Sequence, residues 1–251
     1  MIGHIAAREL RSLFLSPLAW SILAVVLFIL AFLFLSQLDL YMSYQAQLAM
    51  MESAPGVTES VVAPLFSSAT IILLLVVPLI TMRLISEERR NRTLPLLFSA
   101  PISMTEIVLG KYLGILGFLG IMLGLIVLMP LSLLLAGRLD FGLLLSGLLG
   151  LTLMLAAFAA AGLFMSTLTN HPTVAAVASF GLLLLLWVID WASGLGGEGS
   201  SAVFGYLSLQ KHYQALLSGL FDSSDVVYYL LFITTFLVLS IRRLDADRLQ
   251  H

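Results

Sequence analysis

Residues 141–189 read FGLLLSGLLGLTLMLAAFAAAGLFMSTLTNHPTVAAVASFGLLLLLWVI, a stretch of 49 residues with no Asp, Glu, Lys or Arg. A helix that crosses a bilayer needs about 20 consecutive apolar residues, so this stretch is long enough for two such helices. A polar turn, Thr167–Pro172, interrupts it near the middle, and its proline favours the end of the preceding helix. The stretch therefore predicts two membrane-spanning helices joined by a short turn.

Four more stretches without charged residues lie on either side of it, at 12–38, 60–82, 112–137 and 226–241. The last is the shortest, but it has tyrosines at one end and Arg242 and Arg243 at the other, as anchored short spans do. The sequence thus predicts an all-α integral membrane protein. We expect one transmembrane domain over residues 1–251, with six spans at about 17–37, 62–83, 109–136, 141–166, 172–193 and 225–241.

The composition excludes a soluble globular protein. Sixty per cent of the 251 residues are hydrophobic, 10% are charged and the mean hydropathy is +1.07, whereas a typical soluble domain is about 25% charged. The formal net charge of −2 gives no indication of a nucleic-acid partner. Because the chain has no cysteine, disulfides and Cys-based metal sites are excluded.

Positive charge is distributed unequally between the two sides that six spans define. Of the 12 Lys and Arg residues, only Arg138 and Lys211 fall on the side opposite the termini. The others are Arg8, Arg11, Arg83, Arg89, Arg90, Arg92, Lys111, Arg242, Arg243 and Arg248. Because positively charged loops stay in the cytoplasm, we expect both termini there and the protein in a bacterial inner membrane.

Two amphipathic segments are predicted outside the spans. In residues 2–14 the apolar side chains share one helical face, away from Arg8 and Arg11, which predicts an interfacial helix; the alternative is an extension of the first span. Residues near 207–220 predict a short outer helix, either a lid on the spans or a gate or dock for an outer partner. The outer loop 38–61 should be solvated. Its methionines have no His or Cys nearby, so we interpret them as apolar packing and not as metal ligands.

The spans lack the residues that independent transport or catalysis would require. No charged residue lies deep in a predicted span, which argues against an ion-coupled carrier, and no His-Glu-x-x-His motif supports an intramembrane protease. Gly110-Lys111 lacks the upstream glycine and the following Ser or Thr of a phosphate-binding loop. We expect no catalytic residue, no metal and no cofactor bound by this chain, so any driven work depends on another subunit.

Small residues are regularly spaced in the third span. Five glycines recur three or four residues apart, on one side of a helix, at Gly110, Gly114, Gly117, Gly120 and Gly124. Such spacing lets another helix approach closely. Packing within the chain is the favoured interpretation, and a dimer interface or a sliding surface is the alternative.

The inner loop between spans two and three contains the most specific pattern. A mixed-charge patch is followed by a threonine and apolar residues: Glu87, Glu88, Arg89, Arg90, Arg92, Thr93, Leu94, Leu97 and Phe98. Ser103 and Glu106 have the spacing of a capping box that begins the next helix. The pattern predicts a short helix that presents charge and a few apolar side chains to a partner, the alternative being a solvated turn.

Residues 86–114, SEERRNRTLPLLFSAPISMTEIVLGKYLG, resemble the coupling segment of ABC-2 type permeases, the membrane subunits of ATP-binding-cassette exporters. The matching positions are Glu88, Thr93, Leu94, Leu96, Leu97, Pro101, Ile102, Ile107, Val108, Gly110 and Lys111. The chain departs from the family pattern at Arg92, where glycine is usual, and at Pro95, where glutamate is usual. Residues 7–20 also resemble the amphipathic elbow of these permeases, and the short outer loops look most like the gliding-motility and copper-maturation branch.

The resemblance implies a permease without catalytic activity that pairs with a second copy or a close homologue. Two separate ATPase subunits would bind ATP and Mg, and would contact the nine residues from Glu87 to Phe98 named above. A second inner loop, Thr169, Asn170 and His171, would contribute less, and Arg8 and Arg11 would belong to the elbow.

The function implied is ATP-driven export or extrusion across the inner membrane. The alternative is a membrane anchor of a non-transporting, ATPase-driven complex that acts on an outer-side protein, and either could include an auxiliary outer-side subunit. A secondary carrier is disfavoured because the spans lack charged residues. Because the interior is uniformly apolar, the sequence does not identify the substrate. We expect membrane lipid to surround the chain.

Overall fold

The computed structural model describes residues 1–48, 56–93, 102–135, 139–195 and 208–248, and these ranges contain helices and turns but no β-strand. The α-helices, numbered in chain order, are α1 (Ile2–Leu15), α2 (Pro17–Leu48), α3 (Ala63–Thr81), α4 (Ser86–Arg90), α5 (Met104–Ser132), α6 (Phe141–Leu168), α7 (Pro172–Leu195), α8 (Leu209–Leu217) and α9 (Ser223–Arg248). A π-helical turn, Thr58–Val62, precedes α3, and a 3-10 turn, Leu133–Leu135, follows α5.

Six helical segments of the described ranges are long and apolar enough to cross a membrane. They lie where the charge-free stretches predict them, and the predicted break is confirmed because α6 ends at Leu168 and α7 begins at Pro172. Two predicted boundaries differ: α2 continues as helix to Leu48, through the first half of the expected outer loop, and α9 continues to Arg248, past the predicted end at about 241. Residues 38–48 contain neither Gly nor Pro, so their polar side chains end the apolar stretch without ending the helix.

Helices α3 and α6 form the centre of the bundle. In the most apolar 18-residue stretch of each of these two spans, 61% of the residues are buried, whereas the share in α9 is 22%. Residues 156–163 of α6, AAFAAAGL, are all buried, and their small side chains let neighbouring helices approach closely. Because α6 contacts α3, α5, α7, α8 and α9, a displacement of either end of α6 reaches most of the spans.

Helix α1 is the amphipathic helix that residues 2–14 predict, with Leu10, Leu13 and Phe14 packed against the core and Arg8 and Arg11 exposed. Its apolar face packs along α5. The chain breaks at Ser16, which has extended backbone angles, and the Trp20 side chain closes this corner by donating from Nε1 to the Phe14 carbonyl oxygen at 2.8 Å. The elbow is therefore a separate helix and not an extension of the first span.

The glycine row of α5 accommodates α1. A Cβ atom at Gly110 would lie 2.6 Å from Ile5 Cβ, and one at Gly114 would lie 2.7 Å from Glu9 Cβ. At Gly120 and Gly124 a Cβ atom would have nothing within 4 Å. Packing within the chain is thus confirmed for the half of the row nearer the N-terminus of α5.

The predicted outer helix is present as α8, and it packs on the spans. Leu209, Tyr213 and Leu216 are buried, and the Leu216 carbonyl oxygen accepts a hydrogen bond from the Ser146 hydroxyl at 2.7 Å. Next to it, the Ser224 N–H donates to the Asp222 carboxyl at 2.9 Å and lowers the pKa of that group.

Candidate coupling site

The second span is broken near its end. Helix α3 stops at Thr81, residues 82–85 form a turn, and α4 begins at Ser86. Pro78, in the last turn of α3, has no N–H and so removes one helical hydrogen bond just before the break. The break separates α4 from α3, at the end of the bundle where α5 begins and α9 ends.

Ser166 of α6 closes this turn. Its Oγ accepts hydrogen bonds from the Ile85 and Ser86 N–H groups, both at 3.0 Å, and donates to the Met82 carbonyl oxygen at 3.1 Å. One turn earlier, a Cβ atom at Gly162 would lie 2.2 Å from Thr81 Oγ1, so the Thr81 side chain packs directly on the Gly162 backbone. The start of α4 is therefore bound to α6, and the hydroxyl satisfies backbone groups that the break would leave without partners.

A buried lysine binds α4 to two other helices. The Lys111 side chain of α5 is 3% exposed, and its Nζ donates to Glu88 Oε1 of α4 at 2.8 Å and to Glu9 Oε2 of α1 at 3.2 Å. A buried charge is tolerated only when it is paired and hydrogen-bonded. The three side chains thus require α1, α4 and α5 to stay together.

An ion pair at the same end joins α4 to the last helix. The Arg89 guanidinium is paired with the Asp247 carboxylate of α9, and Arg243 lies 3.6 Å from the other oxygen of Asp247. We call α4 together with Glu9, Lys111, Ser166 and Asp247 the α4 junction. Through these side chains, α4 is bonded to α5, α6 and α9 directly and to α1 by way of Lys111.

Helix α4 ends in a Schellman motif. The Thr93 N–H donates to the Glu88 carbonyl oxygen at 2.9 Å, and the Arg92 N–H donates to the Arg89 carbonyl oxygen at 3.2 Å. Arg92 has φ +55°, in the left-handed region that glycine adopts without steric cost. The glycine of the family pattern at this position therefore has a conformational reason, and Arg92 keeps the conformation while lacking the favoured residue.

The structure separates the predicted site residues into an inward and an outward group. Glu88 and Arg89 point into the junction, whereas Glu87, Arg90, Arg92 and Thr93 are exposed. Leu94, Leu97 and Phe98 lie outside the described residues. The turn 169–171 joins α6 to α7, both of which α4 contacts, and Asn170 and His171 are exposed there. The predicted capping box of Ser103 and Glu106 is confirmed at the start of α5.

Sequence reasoning missed Glu9, Ser166 and Asp247, and it assigned Lys111 only to the family pattern. The sequence does contain one indication that Lys111 is buried: it follows Gly110 in the glycine row, and a helix that packs on this row covers the lysine. Ser166 gives no such signal, because a serine near the end of a span is compatible with many roles.

One family model, described as "ABC-2 family transporter protein", matches residues 4–249. The match extends from α1 to α9 and includes the α4 junction. This chain belongs to the ABC-2 transporter family. The resemblance seen in residues 86–114 is thereby confirmed, and the chain is a multi-pass membrane permease component of an ABC transporter. A comparison with curated proteins gives no match.

Membership of the ABC-2 family implies an ABC ATPase as partner of this permease. The α4 junction coincides with the part of the sequence that carries the family's coupling pattern. It is therefore the candidate site at which the ABC-2 permease and its ATPase meet.

Proposed function

We propose that this permease couples ATP hydrolysis by separate ATPase subunits to export or extrusion across the bacterial inner membrane. Two permease chains, identical or closely related, pair with two ATPase subunits. The permease itself is not catalytic, and ATP and Mg²⁺ are bound by the ATPases. Both termini and the α4 junction face the cytoplasm, as the asymmetry of Lys and Arg predicts.

The observation that carries this proposal is the attachment of α4 to three other helices directly and to α1 through Lys111. A force applied to α4 reaches α6 through Ser166, α5 and α1 through Lys111, and α9 through the Arg89–Asp247 pair. Side-chain bonds of this kind resist separation of α4 from the spans, so a movement of the ATPase displaces the spans instead of bending a loop. This arrangement suits a force-transmitting element.

The ATPase contact itself falls on the outward side of the loop. Glu87, Arg90 and Arg92 are exposed charges, and the sequence places the apolar Leu97 and Phe98 a few residues further on. Apolar anchors surrounded by charge are typical of small interfaces in which a few residues supply most of the binding energy.

Leu97→Asp tests this contact. It should weaken ATPase binding by roughly 2 kcal/mol or more, the loss typical of a central anchor, without preventing membrane insertion. The measurement is ATPase recovered with the tagged permease, relative to the permease in the membrane. Leu220→Asp, at an exposed position beyond α8, is the matched control. Normal ATPase recovery and normal stimulated hydrolysis with both Leu97→Asp and Phe98→Asp would contradict the proposal.

A second candidate is a membrane anchor that uses ATPase movements to act on an outer-side protein. The length of α2 favours it, because the helix continues to Leu48, past the apolar segment Pro17–Tyr44 that can cross the membrane. Purification of the complex distinguishes the two: a stoichiometric outer-side protein supports the anchor, and solute transport in reconstituted vesicles supports export.

A further inference from the structure

A cavity of about 330 Å³ lies between α1, the start of α2 and the end of α3, beside α4. One part of its wall is apolar: Leu18, Ala19, Leu79 and Ile80. Another part is charged: Arg8, Glu9, Arg83, Glu87, Glu88 and Lys111. The apolar residues belong to spans, and the charged ones to α1, α4, the turn after α3 and the start of α5. The cavity therefore crosses the level at which the hydrocarbon region of a bilayer gives way to its headgroups.

The charges of this cavity are only partly paired within the described chain. Lys111 is paired with Glu9 and Glu88, whereas Arg8, Arg83 and Glu87 form no ion pair with another described residue. The second oxygen of Glu88, Oε2, is buried and has no hydrogen-bond donor among the described residues. Because that oxygen is closed to solvent, the charged groups that a ligand in the cavity can reach are the exposed Arg8, Arg83 and Glu87.

The unpaired groups are of both signs, which restricts the ligand. A purely anionic ligand would satisfy Arg8 and Arg83 but would be repelled by Glu87 and Glu88. A purely cationic ligand would leave both guanidinium groups without a partner. A zwitterion with a phosphate and a hydrogen-bonding ammonium satisfies both sets.

We propose that this cavity binds the headgroup of an aminophospholipid, of which phosphatidylethanolamine is the simplest. The phosphate faces Arg8 and Arg83, the primary ammonium donates to Glu87, and the acyl chains lie along the apolar wall. A choline headgroup is a poor substitute, because its quaternary ammonium has no N–H to donate. This site requires neither nucleotide nor ATPase, although it shares Glu87 with the proposed ATPase contact.

The first test uses the unmodified full-length permease. Nanodiscs are formed with equal amounts of phosphatidylethanolamine, phosphatidylcholine and phosphatidylglycerol, the protein is extracted in mild detergent, and the retained lipid is quantified by mass spectrometry. We expect phosphatidylethanolamine to be retained about tenfold over either competitor, the factor given by one charge-assisted hydrogen bond. Equal retention of the three lipids would overturn the proposal without any variant being made.

The second test compares the two arginines that line the cavity with Arg11, which lies on the same helix as Arg8 but outside the cavity. Arg8→Gln and Arg83→Gln should each lower the retention of phosphatidylethanolamine about tenfold. Arg11→Gln is the matched control, because Arg11 is exposed on α1 and does not line the cavity. An equal loss with Arg11→Gln would indicate diffuse attraction and overturn the site. Unchanged lipid retention with reduced ATPase recovery in Arg8→Gln and Arg83→Gln would assign the cavity to the ATPase contact and also overturn it.

Discussion

Lys111 illustrates how one side chain can determine the arrangement of three helices. It is almost completely buried, and its two partners come from elements far apart in the sequence, α1 and α4. Removing one partner of a buried ion pair is strongly destabilising, because the remaining charge keeps its desolvation penalty. Replacing all members with neutral groups avoids that penalty. The triad therefore makes a prediction that distinguishes an electrostatic role from simple packing.

Lys111→Met leaves Glu9 and Glu88 close together without a cation. We expect it to lower the free energy of unfolding by about 3–5 kcal/mol, measured by thermal unfolding in one detergent. The combined variant Glu9→Gln, Glu88→Gln, Lys111→Met should recover most of the loss. If the combined variant were as unstable as Lys111→Met alone, the side chains would matter through shape and not through charge.

Arg92 provides a second prediction at the residue scale. Since a left-handed conformation costs a non-glycine residue about 1 kcal/mol, Arg92→Gly should stabilise the Schellman motif of α4 by a similar amount. Arg92→Ala is the control, because it removes the same charge but keeps the steric cost. Thermal unfolding should show a gain for the glycine variant only, and an equal gain for alanine would attribute the effect to charge.

At the scale of elements, close approach at glycine decides which helices move together. The row on α5 lets α1 approach until Gly110 and Gly114 touch its side chains and the Ala6 carbonyl oxygen. Gly162 does the same for α3 and α6 beside the break at residues 82–85. These two contacts position the helices so that Glu9 reaches Lys111 and Ser166 reaches the turn before α4. The polar bonds of the α4 junction therefore depend on the packing of small residues.

Gly114→Ala tests this dependence, with Gly120→Ala as the matched control on the same helix. A Cβ atom at residue 114 would lie 3.0 Å from the Ala6 carbonyl oxygen, so α1 must shift, at a cost of about 1–3 kcal/mol. At residue 120 the added methyl group meets nothing within 4 Å, and alanine should be neutral or stabilising by up to about 1 kcal/mol. Equal shifts in unfolding temperature would contradict the packing account.

At the scale of the whole molecule, the sequence predicts the features that the bilayer requires, namely the number and position of the spans. It does not predict the side-chain bonds that depend on tertiary contacts. The six spans follow from charge-free length, the break before Pro172 from turn chemistry and the start of α5 from its capping box. The extension of α2 was missed because its predicted end was taken from hydropathy. Hydropathy indicates which residues contact lipid, and it does not indicate where a helix ends. Ser166 and Asp247 were missed because their partners lie about 80 and 158 positions away, respectively.

Six spans and the distribution of Lys and Arg together predict the orientation of the molecule. Reporter fusions after Asn91 and at the C-terminus should report the cytoplasm, and fusions at Ser53 and Gly197 should report the outer side. Each span between two fusion points moves the reporter to the other side of the membrane. An error of one in the number of spans would therefore reverse the side reported by every fusion after it. An outer-side signal at Asn91 would contradict both the topology and the ATPase contact at α4.

We propose that the ATPase binds at the α4 junction, and because the chain contains no cysteine, this contact can be tested directly. A single Arg90→Cys substitution at the exposed end of α4 is labelled with a maleimide photo-crosslinker, and Leu220→Cys, exposed beyond α8, is the control. After illumination of membranes containing the assembled complex, Arg90→Cys should give a crosslinked product that contains the ATPase, and Leu220→Cys should give none. Crosslinking of the ATPase from residue 220, or none from residue 90 in a complex that still hydrolyses ATP, would contradict the account.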